Sequence, residues 1–173
     1  MLTAAACYPG AMLVALHPVP NHPDAVGLLD GQPLVVAGRD LRVGERVVPL
    51  EEAGEALATA VEAAGSALFG GDYLNPLART LGLNRRSVVG DRVARNGLPA
   101  WALHILGYAA GHPRPRALGY LLLAAAEVLD DGGEAPAAAR RAELAVLARQ
   151  GMEDALALVA RARDLKRLPD RTA

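Results

Sequence analysis

The sequence contains a single cysteine and very few aromatic residues. Cys7 is the only thiol in 173 residues, and phenylalanine, tyrosine and tryptophan together make up 3%. One thiol excludes an internal disulfide and a zinc site built from cysteines. Because aromatics are scarce, alanine, leucine and valine must fill the interior. Hydrophobic residues make up 52% of the chain, which is enough for a packed core.

A long hydrophobic run is also missing. The longest, Leu118–Leu129, is interrupted by Gly119 and Glu127. It is well short of the roughly 20 residues that a membrane-spanning helix needs. The first 16 residues lack the basic start of a signal peptide. These absences predict a cytoplasmic protein that has no contact with a membrane.

Catalytic motifs are absent as well. The sequence has no nucleophile elbow, no glycine-rich phosphate loop with a lysine and no paired-histidine metal motif. His17 and His22 lie near Asp24 in a proline-rich stretch, but they are too few for a convergent ligand set. We therefore expect no enzyme activity, no metal and no cofactor.

Residues 1–50 alternate short apolar runs with turn sequences, which is typical of β structure. Dipeptides such as Asp30-Gly31 favour tight hairpin turns. We expect a small antiparallel sheet, arranged as a meander. The candidate strands are Ala11–Leu16, Val26–Leu29, Leu34–Ala37 and Arg46–Leu50.

The rest of the chain is rich in alanine and leucine, with apolar residues at helical spacing. The predicted helices cover 51–69, short segments up to 98, then 99–110, 116–130, 136–150 and 152–168. The expected fold is α+β, with a small N-terminal antiparallel β region followed by a mainly helical part. We divide it into a β region (1–50), a central region (51–116) and a helical region for oligomerisation (117–173).

Charge is unevenly distributed along the chain. The net charge of -1 conceals a basic centre, because residues 72–116 carry seven arginines and two aspartates. Residues 1–71 carry a net charge of -5, and residues 117–173 a net charge of -1. A concentrated basic segment in a nearly neutral chain indicates a local surface for an anionic partner.

The basic centre contains a compact pattern around Gly82. Leu77, Ala78 and Leu81 form the apolar side of a short helix. Gly82 follows, where a tight corner needs positive φ. Asn84 is a favourable N-cap for a second helix, which we expect to end near Val89 or Gly90. Val88 would point from that helix onto Ala78 and Leu81. Two helices joined in this way leave one side of the second helix exposed.

The flanking residues extend this pattern over Ala67–Trp101, near a fifth of the chain. The residues concerned are Ala67-Leu68-Phe69-Gly70, Tyr73, Leu77–Leu83, Asn84, Arg86-Ser87-Val88 and Leu98-Pro99-Ala100-Trp101. This order resembles the helix-turn-helix of phage and bacterial DNA-binding regulators. The resemblance implies that the first residues of the second helix, Asn84 to Ser87, contact base edges in double-stranded DNA. We expect Phe69, Tyr73 and Trp101 to lie in the core.

Arginine chemistry supports the same segment. The fork-shaped guanidinium donors of Arg85 and Arg86 fit phosphate or guanine. Asn84 has two competing uses, because it can cap the helix or contact adenine. The predicted DNA-binding residues are Arg79, Asn84, Arg85, Arg86, Ser87, Arg92 and Arg95.

Two residues depart from the helix-turn-helix pattern. Asp91 stands where related proteins carry an apolar residue, and Gly90 lowers helix propensity.

The sequence leaves three functions open as hypotheses. The first is a transcriptional regulator that binds specific DNA sequences as a homodimer. The second is a viral structural or DNA-packaging subunit of the small-terminase type. The third is a protein–protein adaptor with a vestigial helix-turn-helix.

Overall fold

The computed structural model describes residues 12–38, 40–130 and 138–167. Within these ranges five strands precede six α-helices and one 3-10 turn. The strands are β1 (Val14–Leu16), β2 (Ala25–Leu29), β3 (Gln32–Ala37), β4 (Asp40–Val43) and β5 (Arg46–Val48). The helices are α1 (Leu50–Phe69), α2 (Leu74–Thr80), the 3-10 turn Arg85–Ser87, α3 (Gly90–Asn96), α4 (Ala100–Ala110), α5 (Pro115–Asp130) and α6 (Ala138–Arg167). The predicted α+β class is confirmed.

The sheet is an antiparallel meander in which each strand pairs with the next along the chain. Asp30 and Gly31 join β2 to β3, and both have positive φ (50° and 83°), as a two-residue hairpin turn requires. The Asp30 carboxylate also accepts a hydrogen bond of 2.8 Å from the Leu13 amide, which fastens this turn to the start of β1. The predicted meander is therefore confirmed.

The sequence did not predict β4. This strand covers Asp40–Val43 and has only Leu41 and Val43 as apolar residues. The two alternate with charged residues, which is the two-residue period of a half-buried strand. Leu41 is buried, whereas Asp40 and Arg42 are exposed. Such a short run with few apolar residues gives only a weak signal in a sequence.

The core joins the sheet to the helices. Every strand contributes a buried side chain, and these pack with the inner faces of α1 to α4. Leu34 and Leu57 are completely buried, and among the described residues no polar or charged residue is buried. Burying one leucine contributes roughly 1.5–3 kcal/mol, so the aliphatic core stabilises the fold despite the shortage of aromatics.

Helix α1 lies at the centre of this core and approaches α3 closely at Gly54. A side chain built on Gly54 would overlap the backbone carbonyl of Ala94. The absence of a Cβ therefore lets the two helix backbones touch. This contact fixes the position of α3, which carries part of the candidate site.

The last helices differ from the prediction in one respect. Instead of two helices that break near Gly151, α6 is a single helix of 30 residues. A glycine inside a helix costs about 1 kcal/mol relative to alanine. The many alanines, leucines and arginines on both sides of Gly151 favour the helical state and offset that cost. The beginning of the predicted 136–150 helix and the end of the predicted 152–168 helix lie outside the described residues.

The chain divides into two compact units, Met1–Leu123 and Ala124–Ala173. The first contains the sheet, α1 to α4 and the beginning of α5, and the second contains the end of α5 and α6. The division into three regions stays a prediction. No helix in the described ranges combines the length and apolar character needed to cross a membrane.

Candidate nucleic-acid interface

Helix α2 ends in a tight corner at Gly82. The Gly82 amide donates to the Arg79 carbonyl (3.1 Å), and the Leu83 amide donates to the Ala78 carbonyl (2.8 Å). Gly82 has a φ of 61°. This pair of bonds is the Schellman arrangement, in which a left-handed residue closes a helix. The predicted corner with positive φ is confirmed.

The segment after the corner differs from the prediction. Asn84 caps it as expected, because its side-chain oxygen accepts a 2.9 Å hydrogen bond from the Arg86 amide. However, the element that it caps is one 3-10 turn, Arg85–Ser87, rather than a helix that continues to Val89. The expected continuous second helix is therefore wrong, and the helix-turn-helix stays a prediction.

The helical backbone conformation is interrupted at Val89. This residue is extended (φ -71°, ψ 137°) and immediately precedes α3. Val88 and Val89 are adjacent β-branched residues, and Gly90 follows them, so the local sequence disfavours a helix through this point. Asp91 accordingly lies in the first turn of α3, where a carboxylate interacts favourably with the helix dipole.

Val88 nevertheless points inward as expected. It is completely buried, and it belongs to the same apolar cluster as Ala78 and Leu81. The adjacent residues Arg85 and Arg86 are exposed. Because Val88 and the Gly82 corner hold both ends of the segment, the arginines extend from a fixed backbone.

Four of the predicted DNA-binding residues line one groove. The structure brings Asn84, Arg86 and Ser87 together with Arg92 of α3 around an open volume of about 510 Å³. We call it the arginine groove. Its other lining residues are Leu83, Asn96, Gly97, Leu98 and Pro99.

Arg95 and Arg79 lie elsewhere. Arg95 lines a different groove of about 340 Å³ together with Glu51 and Glu55 of α1. Its guanidinium Nε donates to the Asp91 carbonyl at 3.0 Å, one turn back along α3. Arg79 is exposed on the last turn of α2 and has an interaction of its own. These two arginines therefore do not belong to the arginine groove.

Three exposed arginines near the corner are not paired with an acidic side chain among the described residues. Within the described part of the chain, Arg85, Arg86 and Arg92 form no salt bridge or side-chain hydrogen bond. By contrast, Arg46 pairs with Glu52 at 3.3 Å on the sheet side of the fold. Unpaired guanidinium groups remain available to an anionic partner.

Sequence reasoning missed Asn96 as a site residue. It lies twelve positions after Asn84, and only the break at Val89 and the restart of the helix bring it to the same groove. No local motif around Asn96 indicates this.

The prediction that Trp101 lies in the core is wrong, because 48% of its surface is exposed. Tyr73 is buried and Phe69 packs partly against the core, as expected.

Three histidines line a second surface depression of about 270 Å³, between the 17–26 segment and α4. His17 uses its ring Nδ1 in a 2.9 Å hydrogen bond to the Pro18 carbonyl. His22 and His104 line the same depression. Across the described ranges, however, no three His, Cys, Asp or Glu residues are close enough together to hold a metal ion.

Comparison with known proteins gives no relative from which a function can be transferred. No protein-family model, no curated protein and no solved structure matches the chain. The chemistry of the segment itself is therefore the guide to function.

Proposed function

We propose that this protein is a cytoplasmic transcriptional regulator that binds specific sequences of double-stranded DNA through Asn84–Ser87. The observation that carries the proposal is the exposure of Arg85 and Arg86 on a backbone held by Val88 and the Gly82 corner. A rigid support of this kind reduces the conformational entropy lost when a side chain binds.

The chemistry of the segment fits a nucleic acid. An arginine guanidinium donates two parallel hydrogen bonds either to a phosphate or to the O6 and N7 atoms of guanine. The side-chain oxygen of Asn84 is already occupied by the Arg86 amide. Contacts with DNA therefore belong mainly to Arg85, Arg86 and Ser87, and Asn84 shapes the backbone.

Electrostatics also supports the proposal. The net charge of +5 over residues 72–116 lies in a chain whose total charge is -1. A local positive surface attracts the phosphate backbone and releases its counterions, which makes affinity depend on salt. Residues 1–71 and 117–173 carry net charges of -5 and -1, so the attraction is expected to come from residues 72–116.

We further propose that the protein acts as a homodimer. Helix α6 exposes several large apolar side chains, which are costly to leave in water. They are Val146, Leu147, Leu156, Leu158 and Val159. Known dimeric helix-turn-helix proteins bind two half-sites one helical turn of DNA apart, which is the DNA arrangement that a homodimer would use.

The direct test is fluorescence anisotropy with a mixed-sequence duplex over a range of salt concentrations. The native chain should bind at low salt and lose affinity steadily as salt rises. The variant Arg85→Ala/Arg86→Ala should bind at least about tenfold more weakly. The matched control Arg161→Ala/Arg163→Ala removes two exposed arginines of α6 and should keep native affinity. Equal affinity of the native chain and the Arg85→Ala/Arg86→Ala variant would remove the basis of the proposal.

A further inference from the structure

The arginine groove collects hydrogen-bond donors from two separate elements. Arg86 and Ser87 come from the 3-10 turn, and Arg92 and Asn96 come from α3. These side chains provide two guanidinium groups, a hydroxyl and a carboxamide around one opening. A phosphate accepts hydrogen bonds on several oxygens at once, so it can use donors that arrive from different directions.

Among the residues that the structure describes, no carboxylate lines this groove, although Asp91 lies in the first turn of the same helix. Arg86 and Arg92 therefore have no internal counter-charge there. Two cations that share one opening repel each other, and an anion between them reverses that repulsion. The neighbouring groove next to Arg95 differs, because Glu51 and Glu55 line it.

The groove also has an apolar part, formed by Leu83, Leu98 and Pro99. Its volume of about 510 Å³ exceeds what a bare inorganic ion occupies and lies within the range of ligand-binding clefts. A deoxyribose next to a phosphate presents carbon atoms that can pack on such a surface. The combination of charged and apolar lining fits a sugar–phosphate unit better than a free ion.

We propose that the arginine groove binds one sugar–phosphate unit of the DNA backbone, held by Arg86, Arg92 and Asn96. This inference depends on the proposed function and assigns separate roles within it. Arg85 is exposed and lies outside the groove, so it is free to reach base edges. The groove thus sets the position of the protein on the duplex, and Arg85 contributes to sequence preference.

The test compares the native chain with Arg92→Gln and Asn96→Ala on two duplexes, a preferred sequence and its scrambled counterpart. Both variants should lose affinity by a similar factor on both duplexes, because a backbone contact carries no sequence information. Arg92→Gln should also lower the slope of log affinity against log salt by about 1. Arg161→Gln on α6 serves as the control and should behave like the native chain.

A second measurement locates the phosphate. Single uncharged methylphosphonate substitutions are placed in turn along the preferred duplex. At one position the substitution should weaken binding of the native chain but cause little further loss with Arg92→Gln, because the two changes remove the same contact.

The outcomes separate this inference from the proposed function. If the native chain binds DNA but Arg92→Gln keeps native affinity and salt slope, the groove assignment is wrong and the proposed function stands. A loss confined to the preferred duplex would mean that the groove reads bases, which also overturns the assignment. If the native chain binds neither duplex at low salt, both proposals fail.

Discussion

Asn84 shows how a single side chain shapes the candidate interface. Its side-chain oxygen accepts a hydrogen bond from the Arg86 amide. This bond caps the 3-10 turn that carries both exposed arginines. The sequence allowed two uses for this residue, as a cap or as a base contact. The structure shows the capping bond, which assigns Asn84 a local structural role.

Two substitutions at Asn84 distinguish its effect on stability as a cap from the effect of a negative charge on DNA binding. Asn84→Ala should lower the free energy of unfolding by about 1 kcal/mol, because the Arg86 amide loses its acceptor. Asn84→Asp keeps a capping oxygen, so its stability should stay close to native while its added negative charge weakens DNA binding. Urea denaturation and anisotropy measure the two effects. Equal stability of the alanine variant and the native chain would contradict the capping role.

The stability contributed by the buried Tyr73 side chain depends on pH. Burial raises the pKa of the Tyr73 phenol, and the nearby Glu62 carboxylate raises it further. The unfolded chain therefore loses this proton at a lower pH than the folded chain does. It follows that the stability contributed by neutral Tyr73 is present below about pH 10 and is lost as the pH rises above that value.

Tyr73→Phe keeps the ring that packs beside Gly65 but removes the ionisable hydroxyl. The midpoint of alkaline unfolding, followed by circular dichroism, should move to higher pH in this variant. Tyr108→Phe is the control, because the Tyr108 ring is 68% exposed and should leave the midpoint unchanged. An alkaline midpoint that is the same in Tyr73→Phe and in the native chain would show that this phenol does not limit stability.

Among the elements, α3 depends on a close contact with α1. Gly54 of α1 leaves no space for a Cβ against the Ala94 backbone, whereas Gly90 at the start of α3 faces open space. Both glycines lie in helices, and neither has a positive φ. An alanine at the two positions would therefore differ in packing and not in backbone strain.

This pair gives matched substitutions. Gly54→Ala should reduce the free energy of unfolding by about 1–3 kcal/mol, because the new methyl group forces the helices apart. Gly90→Ala should leave stability unchanged or raise it by up to about 1 kcal/mol, through helix propensity alone. Chemical denaturation measures both. If the two variants are equally stable, the close approach of α1 and α3 is not a constraint.

The elements also show where sequence reasoning succeeds. The meander was predictable because apolar runs and turn dipeptides alternate regularly in residues 1–50, and Asp30-Gly31 defines one turn directly. The Gly82 corner was predictable because its positive φ and the apolar spacing around it are local properties. The sequence also indicated a stop near Val89 or Gly90, but it did not show that Asn84 caps only a 3-10 turn or that a new helix begins at Gly90.

The candidate site was predictable only in part, for a related reason. The 3-10 turn residues are consecutive, so a motif reveals them. Asn96 joins the arginine groove, and Arg95 faces Glu51 and Glu55 instead, because α3 starts anew after Val89. The direction in which each α3 side chain points is set by tertiary packing, which a single sequence does not contain.

For the whole molecule, the size of the assembly distinguishes a regulator from a packaging subunit. We expect sedimentation equilibrium to give the mass of a homodimer. Leu158→Arg places a charge among the exposed apolar side chains of α6 and should shift the equilibrium toward the monomer. A ring of many subunits would instead favour the packaging hypothesis and would contradict a dimeric regulator.

The proposed recognition of specific duplex DNA depends on the exposed pair Arg85 and Arg86. The most direct measurement is selection of bound sequences from a pool of random duplexes, with the native chain, Arg85→Ala/Arg86→Ala and Arg161→Ala/Arg163→Ala in parallel. We predict that the native chain and the α6 control enrich the same sequence motif, and that the Arg85→Ala/Arg86→Ala variant enriches none. Failure of the native chain to enrich any motif, or the same motif from all three proteins, would contradict the account.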